Sequence, residues 1–331
     1  ITLLLTATNL FSVKHYGEFE FWFALIKVLA IIGFVILGVL AIFGLLPGSQ
    51  VSGVSHLVDT HGFMPNGMGA VLAAMLTTMF SFMGTEIVTI AAAESKNPGE
   101  QITKATNSVI WRICLFYLVS IFLVVALVPW NDSRLTELGS YQTVLDMMGI
   151  PNAKLIVDLV VLVAVTSCLN SALYTASRML FSLGKRGDAP AVARRTNRSG
   201  TPYWAVMLST SAAFLAVFAN YVAPAAVFDF LLASSGAIAL LVYLVIAISQ
   251  LRLRHKRTAN GETIAFRMWL FPGLTWAVIV FIVGVLTIML FQEEHRVEIL
   301  ATGVLSALVI AAGLLVARRR NIAIRQGKPV L

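Results

Sequence analysis

The sequence has 331 residues, of which 58% are hydrophobic and only 12% are charged, with a mean hydropathy of +0.86. Soluble domains carry about a quarter charged residues, so this composition excludes a soluble protein and predicts an all-α bundle of membrane helices. The net charge of +8 requires no nucleic-acid partner, because most of the 24 Lys and Arg residues fall in alternate loops. By the positive-inside rule, those loops and both chain ends are predicted to be cytoplasmic.

Apolar windows of about 20 residues predict eight membrane-spanning helices. The segment before them, Ile1 to Phe11, is apolar but too short to span, and we expect it to be the end of a helix that begins outside this sequence. The eight predicted spans lie near residues 21–45, 69–93, 109–129, 154–178, 203–222, 226–250, 268–291 and 297–317.

Lys27 stands inside the first predicted span, in the stretch FEFWFALIKVLAII. Ionisable residues inside a membrane are rare and usually functional, which favours a lysine that gains and loses a proton as the protein changes conformation. The alternative is structural, because a lysine stem can reach back towards the cytoplasmic headgroups and Glu18 or Glu20.

The second predicted span contains FSFMGTE, Phe80 to Glu86, which places a glycine and a carboxylate in an apolar run. Gly84 predicts a break in the helix, since glycine interrupts a helix easily. A helix broken within the membrane exposes main-chain ends that can bind a small charged solute. Glu86 is then expected to begin the second half-helix and to accept amides freed by the break, although a purely structural carboxylate fits the same pattern.

Two spans carry polar residues at helical spacing, which predicts a polar interior, although such residues also join helices by hydrogen bonds. These residues are Thr78, Ser81, Thr85 and Thr89 in the second span and Thr166, Ser167, Asn170, Ser171, Tyr174 and Arg178 in the fourth. Residues 94–112 predict a short interfacial helix after a turn, and residues 178–202 predict a helix that leaves the membrane and becomes basic.

Five segments resemble the bacterial amino-acid permeases of the amino acid–polyamine–organocation superfamily, and the similarity runs along the whole chain. The sequences of these segments are most similar to those of the family members that transport 4-aminobutyrate (GABA). The segments are GEFEFWFALIKV, FSFMGTEIVTIAAAESKNP, TNSVIWRICLFY, VPWN and TSCLNSALYTASRMLFSLGKRGDAP.

The resemblance implies an inverted-repeat transporter with discontinuous helices, of which this chain holds helices 5–12 of twelve in a single domain, residues 1–331. Helices 1–3, including a second broken helix, would lie outside the sequence. Lys27 matches a lysine proposed to replace a bound sodium ion in proton-coupled relatives, and Glu86 is assigned to coupling or gating. The substrate-binding residues that the resemblance implies are Phe80, Ser81, Phe82, Gly84, Ser167, Asn170 and Ser234.

The function expected from these residues is proton-coupled import of a zwitterionic amino acid across the bacterial inner membrane by alternating access. The substrate expected first is GABA. The expected partners are the amino acid, a proton and membrane lipids, with no cofactor, no metal and no nucleic acid. The alternatives are a related permease for proline, aromatic or other neutral amino acids, a membrane-embedded enzyme and a channel. The sequence lacks the clustered His, Asp or Cys residues of such enzymes and the repeated charged ring that a selective pore favours.

Overall fold

The computed structural model describes residues 1–11, 13–57, 64–84, 86–87, 89, 97–197, 200–262, 268, 270–292 and 296–325. All regular elements within these residues are helical, which confirms the predicted all-α class. The α-helices are α1 (Thr2–Phe11), α2 (Val13–Ile42), α3 (Gly67–Phe82), α4 (Pro98–Leu127), α5 (Arg134–Glu137), α6 (Ser140–Met147), α7 (Ala153–Arg186), α8 (Tyr203–Val222), α9 (Pro224–Ala259), α10 (Gly273–Phe291) and α11 (Arg296–Arg325).

Seven helices among the described residues are long and apolar enough to cross a membrane. They correspond to seven of the eight predicted spans. The remaining one, near 69–93, does not form one continuous helix, because α3 ends at Phe82. Much of the apolar surface of these helices is exposed on the protein, as expected where lipid rather than protein covers the side chains.

The predicted interfacial helix of residues 94–112 is not separate from the following span. Helix α4 begins at Pro98 and continues to Leu127, with a π-helical segment over Ile113–Leu118. Proline suits the first turn of a helix, where its missing N–H has no helical partner. After the fourth predicted span, α7 continues as a helix to Arg186, shorter than the predicted extension, and ends at Gly187 in the left-handed conformation (φ 76°).

The chain divides into two compact units, Ile1–Pro65 with Ile87–Phe214, and Asn66–Glu86 with Leu215–Leu331, called unit 1 and unit 2. The single transporter domain expected from the resemblance stays a prediction. In unit 1, α2 packs against both α7 and α4. Gly38 of α2 permits a close approach to α4, because a Cβ there would lie 2.8 Å from the Leu123 side chain. The buried core of this contact includes Phe34, Leu123 and Leu127.

Unit 2 is built around α9, which packs against α3, α10 and α11. Its buried core contains Leu240 of α9 with Ile282, Val285 and Met289 of α10. Residues three and four positions apart share one helix face, so these α10 side chains form a single stripe directed at α9. This packing positions Tyr243, which lies in α9 beside the same core.

Candidate functional site

The predicted site residues fall into two groups, one in each unit. Lys27, Ser167 and Asn170 lie in unit 1, on the packed helices α2 and α7. Phe80, Ser81, Phe82, Gly84, Glu86 and Ser234 lie in unit 2.

In unit 1, five polar side chains form one hydrogen-bonded group, the Lys27 cluster: Asn9, Glu20, Lys27, Ser167 and Asn170. Lys27 Nζ donates to Ser167 Oγ at 2.8 Å, and Ser167 Oγ donates to Glu20 Oε2 at 2.7 Å. Asn170 Nδ2 donates to Glu20 Oε1 at 2.9 Å and accepts at its Oδ1 from Asn9 Nδ2 at 2.8 Å. The cluster therefore joins α1, α2 and α7 through side chains alone.

The polar stripe of the fourth predicted span is a buried face in the structure. Ser167 and Asn170 are only 1% and 2% exposed, and Tyr174 is buried one turn further along α7. The Arg178 guanidinium lies 4.8 Å from the centre of the Tyr174 ring, so the stripe continues as a cation–π contact. In this conformation Ser167 and Asn170 bind protein groups, and a substrate would have to replace those partners.

The Lys27 ammonium binds a protein side chain in this structure. It reaches Ser167, whose hydroxyl in turn binds Glu20, so Lys27 and Glu20 are linked through one bridging side chain. Sequence inspection placed Glu20 among the possible partners of Lys27 but did not find Asn9 or the bridge. Asn9 is a polar residue within an apolar segment, and this position could have indicated that α1 contributes to the cluster.

An apolar cavity of about 450 Å³ lies beside the cluster in unit 1. Lys27 and Tyr141 are among its lining residues, and the others include Ile31, Phe34 and Val157. A zwitterion needs convergent polar partners to leave water. The lining of this cavity is almost entirely apolar and does not provide such partners. The candidate site in unit 1 is therefore the Lys27 cluster and not the cavity.

In unit 2, the helix of the second predicted span is interrupted at Gly84. Helix α3 ends at Phe82, Met83 and Gly84 form a turn, and Glu86 and Ile87 are helical again; Thr85 lies outside the described residues. Gly84 has φ 103°, a conformation that glycine adopts at little cost and that strains other residues. The predicted break is therefore confirmed as a structural feature. We call residues 82–86 the Gly84 break.

Glu86 accepts hydrogen bonds at the break, as the sequence predicted. Its Oε1 and Oε2 lie 3.2 and 3.1 Å from the Gly84 main-chain nitrogen, which the end of α3 has freed from helical pairing. Tyr243 Oη donates to Glu86 Oε2 at 2.9 Å and lies 3.2 Å from the Phe82 carbonyl oxygen. The tyrosine hydroxyl has one proton, so the two acceptors share it.

Sequence analysis missed Tyr243, because a single tyrosine in an apolar helix gives no signal that it reaches a residue 157 positions earlier. Within the membrane, unpaired main-chain groups cost several kcal/mol each, which explains why side chains serve both ends of the break. Glu86 takes the freed amide and Tyr243 reaches the freed carbonyl. The arrangement keeps two helix ends apart while satisfying the polar groups that the separation exposes.

The other predicted residues of unit 2 differ in accessibility. Ser81 is exposed and Phe82 is half-buried, whereas the side chain of Phe80 lies outside the described part of the chain. Ser234 is only 9% exposed, and its hydroxyl has no hydrogen-bond partner among the described residues. The neighbouring Ser235 hydroxyl, in contrast, donates to Leu231 O at 2.7 Å. Among the described residues, the donor and the acceptor of the Ser234 hydroxyl are therefore unused.

Comparison with known proteins places these features in a family. The model of the amino acid permease family matches residues 1–327. A probable GABA permease of Pseudomonas aeruginosa is 65% identical over 321 residues, which cover 97% of this chain and 68% of the relative.

Two further relatives show how the similarity declines. The gamma-aminobutyric acid permease of Escherichia coli is 62% identical, over 100% of this chain and 71% of its own length. The aromatic amino acid transport protein AroP of Corynebacterium glutamicum is 39% identical, over 91% of this chain and 66% of its own length. The chain therefore belongs to the amino acid permease family and is a multi-pass membrane transporter of amino acids rather than an enzyme.

Proposed function

We propose that this protein imports 4-aminobutyrate together with protons across the bacterial inner membrane, with its C-terminus in the cytoplasm. The observation that carries the substrate is the 65% and 62% identity to relatives named as GABA permeases. The 39% identity to an aromatic amino acid transport protein supports the second candidate, a related permease for another neutral amino acid.

The Gly84 break supports a substrate site in unit 2. A helix interrupted within the membrane presents main-chain amides and carbonyls, and such ends bind the charged groups of small solutes. The substrate-facing residues of the proposal are Phe80, Ser81, Phe82 and Gly84, joined by Ser234. The buried Ser234 hydroxyl supports its inclusion, because it has no partner among the described residues and a ligand would supply one.

The Lys27 cluster supports proton coupling in unit 1. A lysine and a glutamate connected through a serine provide a base, an acid and a hydrogen-bonded link between two packed helices. Protonation of either ionisable group changes the charge of the cluster, and a charge inside a membrane protein biases which conformation is stable. Ser167 and Asn170, both predicted to bind substrate, belong to this hydrogen-bonded cluster.

Transport by the full-length protein in proteoliposomes tests the proposal. We expect labelled 4-aminobutyrate to accumulate when the outside is more acidic than the inside, and excess unlabelled 4-aminobutyrate to abolish the signal. Proline and phenylalanine at the same concentration are expected to compete weakly, and protein-free liposomes provide the background. Accumulation of labelled proline or phenylalanine, with none of labelled 4-aminobutyrate, would replace the proposed substrate by that of the second candidate.

A further inference from the structure

The contacts between Lys27, Ser167 and Glu20 form a directed hydrogen-bond chain. An ammonium group can only donate and a carboxylate can only accept, so Ser167 must accept from Lys27 and donate to Glu20. The two distances, 2.8 and 2.7 Å, are those of well-formed hydrogen bonds. The hydroxyl proton of Ser167 therefore points at the acid while its lone pair faces the base.

Asn170 and Asn9 hold the acid end of this chain. Asn170 occupies the second oxygen of Glu20, and Asn9 fixes the amide of Asn170 by donating to its oxygen. The Asn9 amide also donates to the Leu5 carbonyl at 2.9 Å, which secures it within α1. With Oε1 engaged in this way, Oε2 is the oxygen of Glu20 that faces the serine.

We propose that Glu20 receives the proton that Lys27 releases during transport, with the Ser167 hydroxyl as the relay. In this step an N–H bond of Lys27 breaks as its proton binds Ser167 Oγ, while the Ser167 O–H bond breaks and that proton binds Glu20 Oε2. A neutral amine, an intact hydroxyl and a carboxylic acid result, with no change in the number of protons or electrons in the cluster. The inference rests on the proposed proton-coupled function and assigns to Glu20 a role in it.

This step removes both charges from the cluster together. A deprotonated lysine beside an ionised glutamate would leave a net negative charge within the membrane, which is costly. Of the helices packed against α2, α1 carries no ionisable side chain. The ionisable side chains of α7 are Lys154, Asp158, Cys168, Tyr174, Arg178, Lys185 and Arg186, and those of α4 are Glu100, Lys104, Arg112, Cys114 and Tyr117. Lys27 is the base that a hydrogen-bonded serine connects to Glu20.

Two transport assays on the full-length protein in proteoliposomes test the relay. One measures accumulation of labelled 4-aminobutyrate driven by a pH gradient of one unit, which for one-for-one coupling corresponds to about a tenfold concentration ratio. The other measures exchange of labelled for unlabelled 4-aminobutyrate at equal pH, which requires a folded carrier but no net proton movement. Glu20→Gln keeps the size of the side chain and removes the carboxylate that would receive the proton, and Glu18→Gln, on an exposed side chain two residues earlier, is the matched control.

We expect Glu20→Gln to reduce the accumulation ratio from about tenfold to about onefold while exchange continues, and Glu18→Gln to resemble the parent in both assays. Ser167→Ala should lose accumulation, and Ser167→Thr, which keeps the hydroxyl, should retain it. Full accumulation by Glu20→Gln would overturn the relay, and loss of both activities would assign Glu20 a structural role instead. A parent protein that exchanges 4-aminobutyrate but ignores the pH gradient would instead remove the proposed proton coupling itself.

Discussion

The Lys27 cluster in unit 1 is built from side chains on unbroken helices, whereas the Gly84 break in unit 2 is built around main-chain groups that a helix has released. In the first, one serine of α7 bridges a lysine and a glutamate of α2. In the second, the Glu86 carboxylate accepts from the Gly84 main-chain amide, and the Tyr243 hydroxyl lies within hydrogen-bond distance of the Phe82 carbonyl. In the proposed function, the state of the first depends on protonation, and the state of the second depends on backbone conformation.

This difference indicates how two kinds of polar group are accommodated in a membrane protein. Side-chain polar groups can be satisfied by neighbours on packed helices without disturbing either helix. Main-chain polar groups become available only where the helix itself ends, and they need acceptors and donors brought to that point. One carboxylate appears in each site, but Glu20 faces a lysine through a serine, and Glu86 faces an amide directly.

Lys27→Met is expected to have the largest effect, because it removes the only base of the Lys27 cluster while keeping a long apolar stem. Accumulation driven by a pH gradient of one unit should fall from about tenfold to about onefold, and the protein should still be present in the membrane. Transport assays with immunoblotting of the membrane fraction measure both quantities. Lys154→Met, at an exposed position of α7, is the control, and accumulation undiminished in Lys27→Met would separate Lys27 from coupling.

Glu86→Gln tests the charge at the Gly84 break. Hydrogen bonds to charged groups contribute about 1.5–3 kcal/mol and neutral ones about 1 kcal/mol, so the variant should lose roughly 1 kcal/mol of stability and part of its transport rate. Tyr243→Phe should lose a similar amount, and because one variant weakens and the other removes the same contact, the double variant should lose less than the sum. Thermal unfolding of the purified protein measures the effect, with Tyr221→Phe, at an 86% exposed tyrosine, as the control. Strict additivity, or a fully active Glu86→Gln, would contradict the assigned contacts.

Ser234→Ala separates substrate binding from folding in unit 2. Because the buried hydroxyl has no partner among the described residues, its removal should leave the melting temperature unchanged. If the hydroxyl binds substrate, KM should rise about fivefold, the equivalent of one hydrogen bond of about 1 kcal/mol. Ser235→Ala, which loses only a bond within its own helix, should change neither quantity. An unchanged KM in Ser234→Ala would exclude Ser234 from the site.

The smallest effect is expected at Asp132, a carboxylate outside the spans. Arg134 donates to Asp132 at 2.8 and 3.1 Å, and these hydrogen bonds hold the pKa of the Asp132 carboxyl below its usual value. A lowered acid pKa means that the stabilisation is present above the ordinary pKa of about 3.9 and is lost as pH falls through the lowered value. Asp132→Asn should therefore leave transport unaltered near neutral pH and reduce only the small loss of stability on acidification. A changed coupling ratio in this variant would show that carboxylates without a transport role can imitate the effect of Glu20.

Composition and local pattern predicted the all-α class, the spans and the Gly84 break, because each depends on neighbouring residues. An apolar run of suitable length identifies a span, and a glycine two positions before a glutamate identifies a break. The partners of these residues could not be predicted in the same way. Ser167 lies 147 residues from Glu20, and Tyr243 lies 157 residues from Glu86, so their contacts depend on which helices pack together. The same reason explains why Asn9 and Tyr243 were absent from the predicted site.

Gly38 positions α2 closely against α4. Its closeness to Leu123 fixes one part of α2 against α4, and Lys27 lies 11 residues away on the same helix, about 16 Å along its axis and close to the same face. A rotation of α2 about its contact at Gly38 would therefore displace Lys27 much more than it displaces Gly38. A side chain added at position 38 would push α2 away from α4 at this contact. The distance from Lys27 to Ser167 would then change although neither residue is substituted.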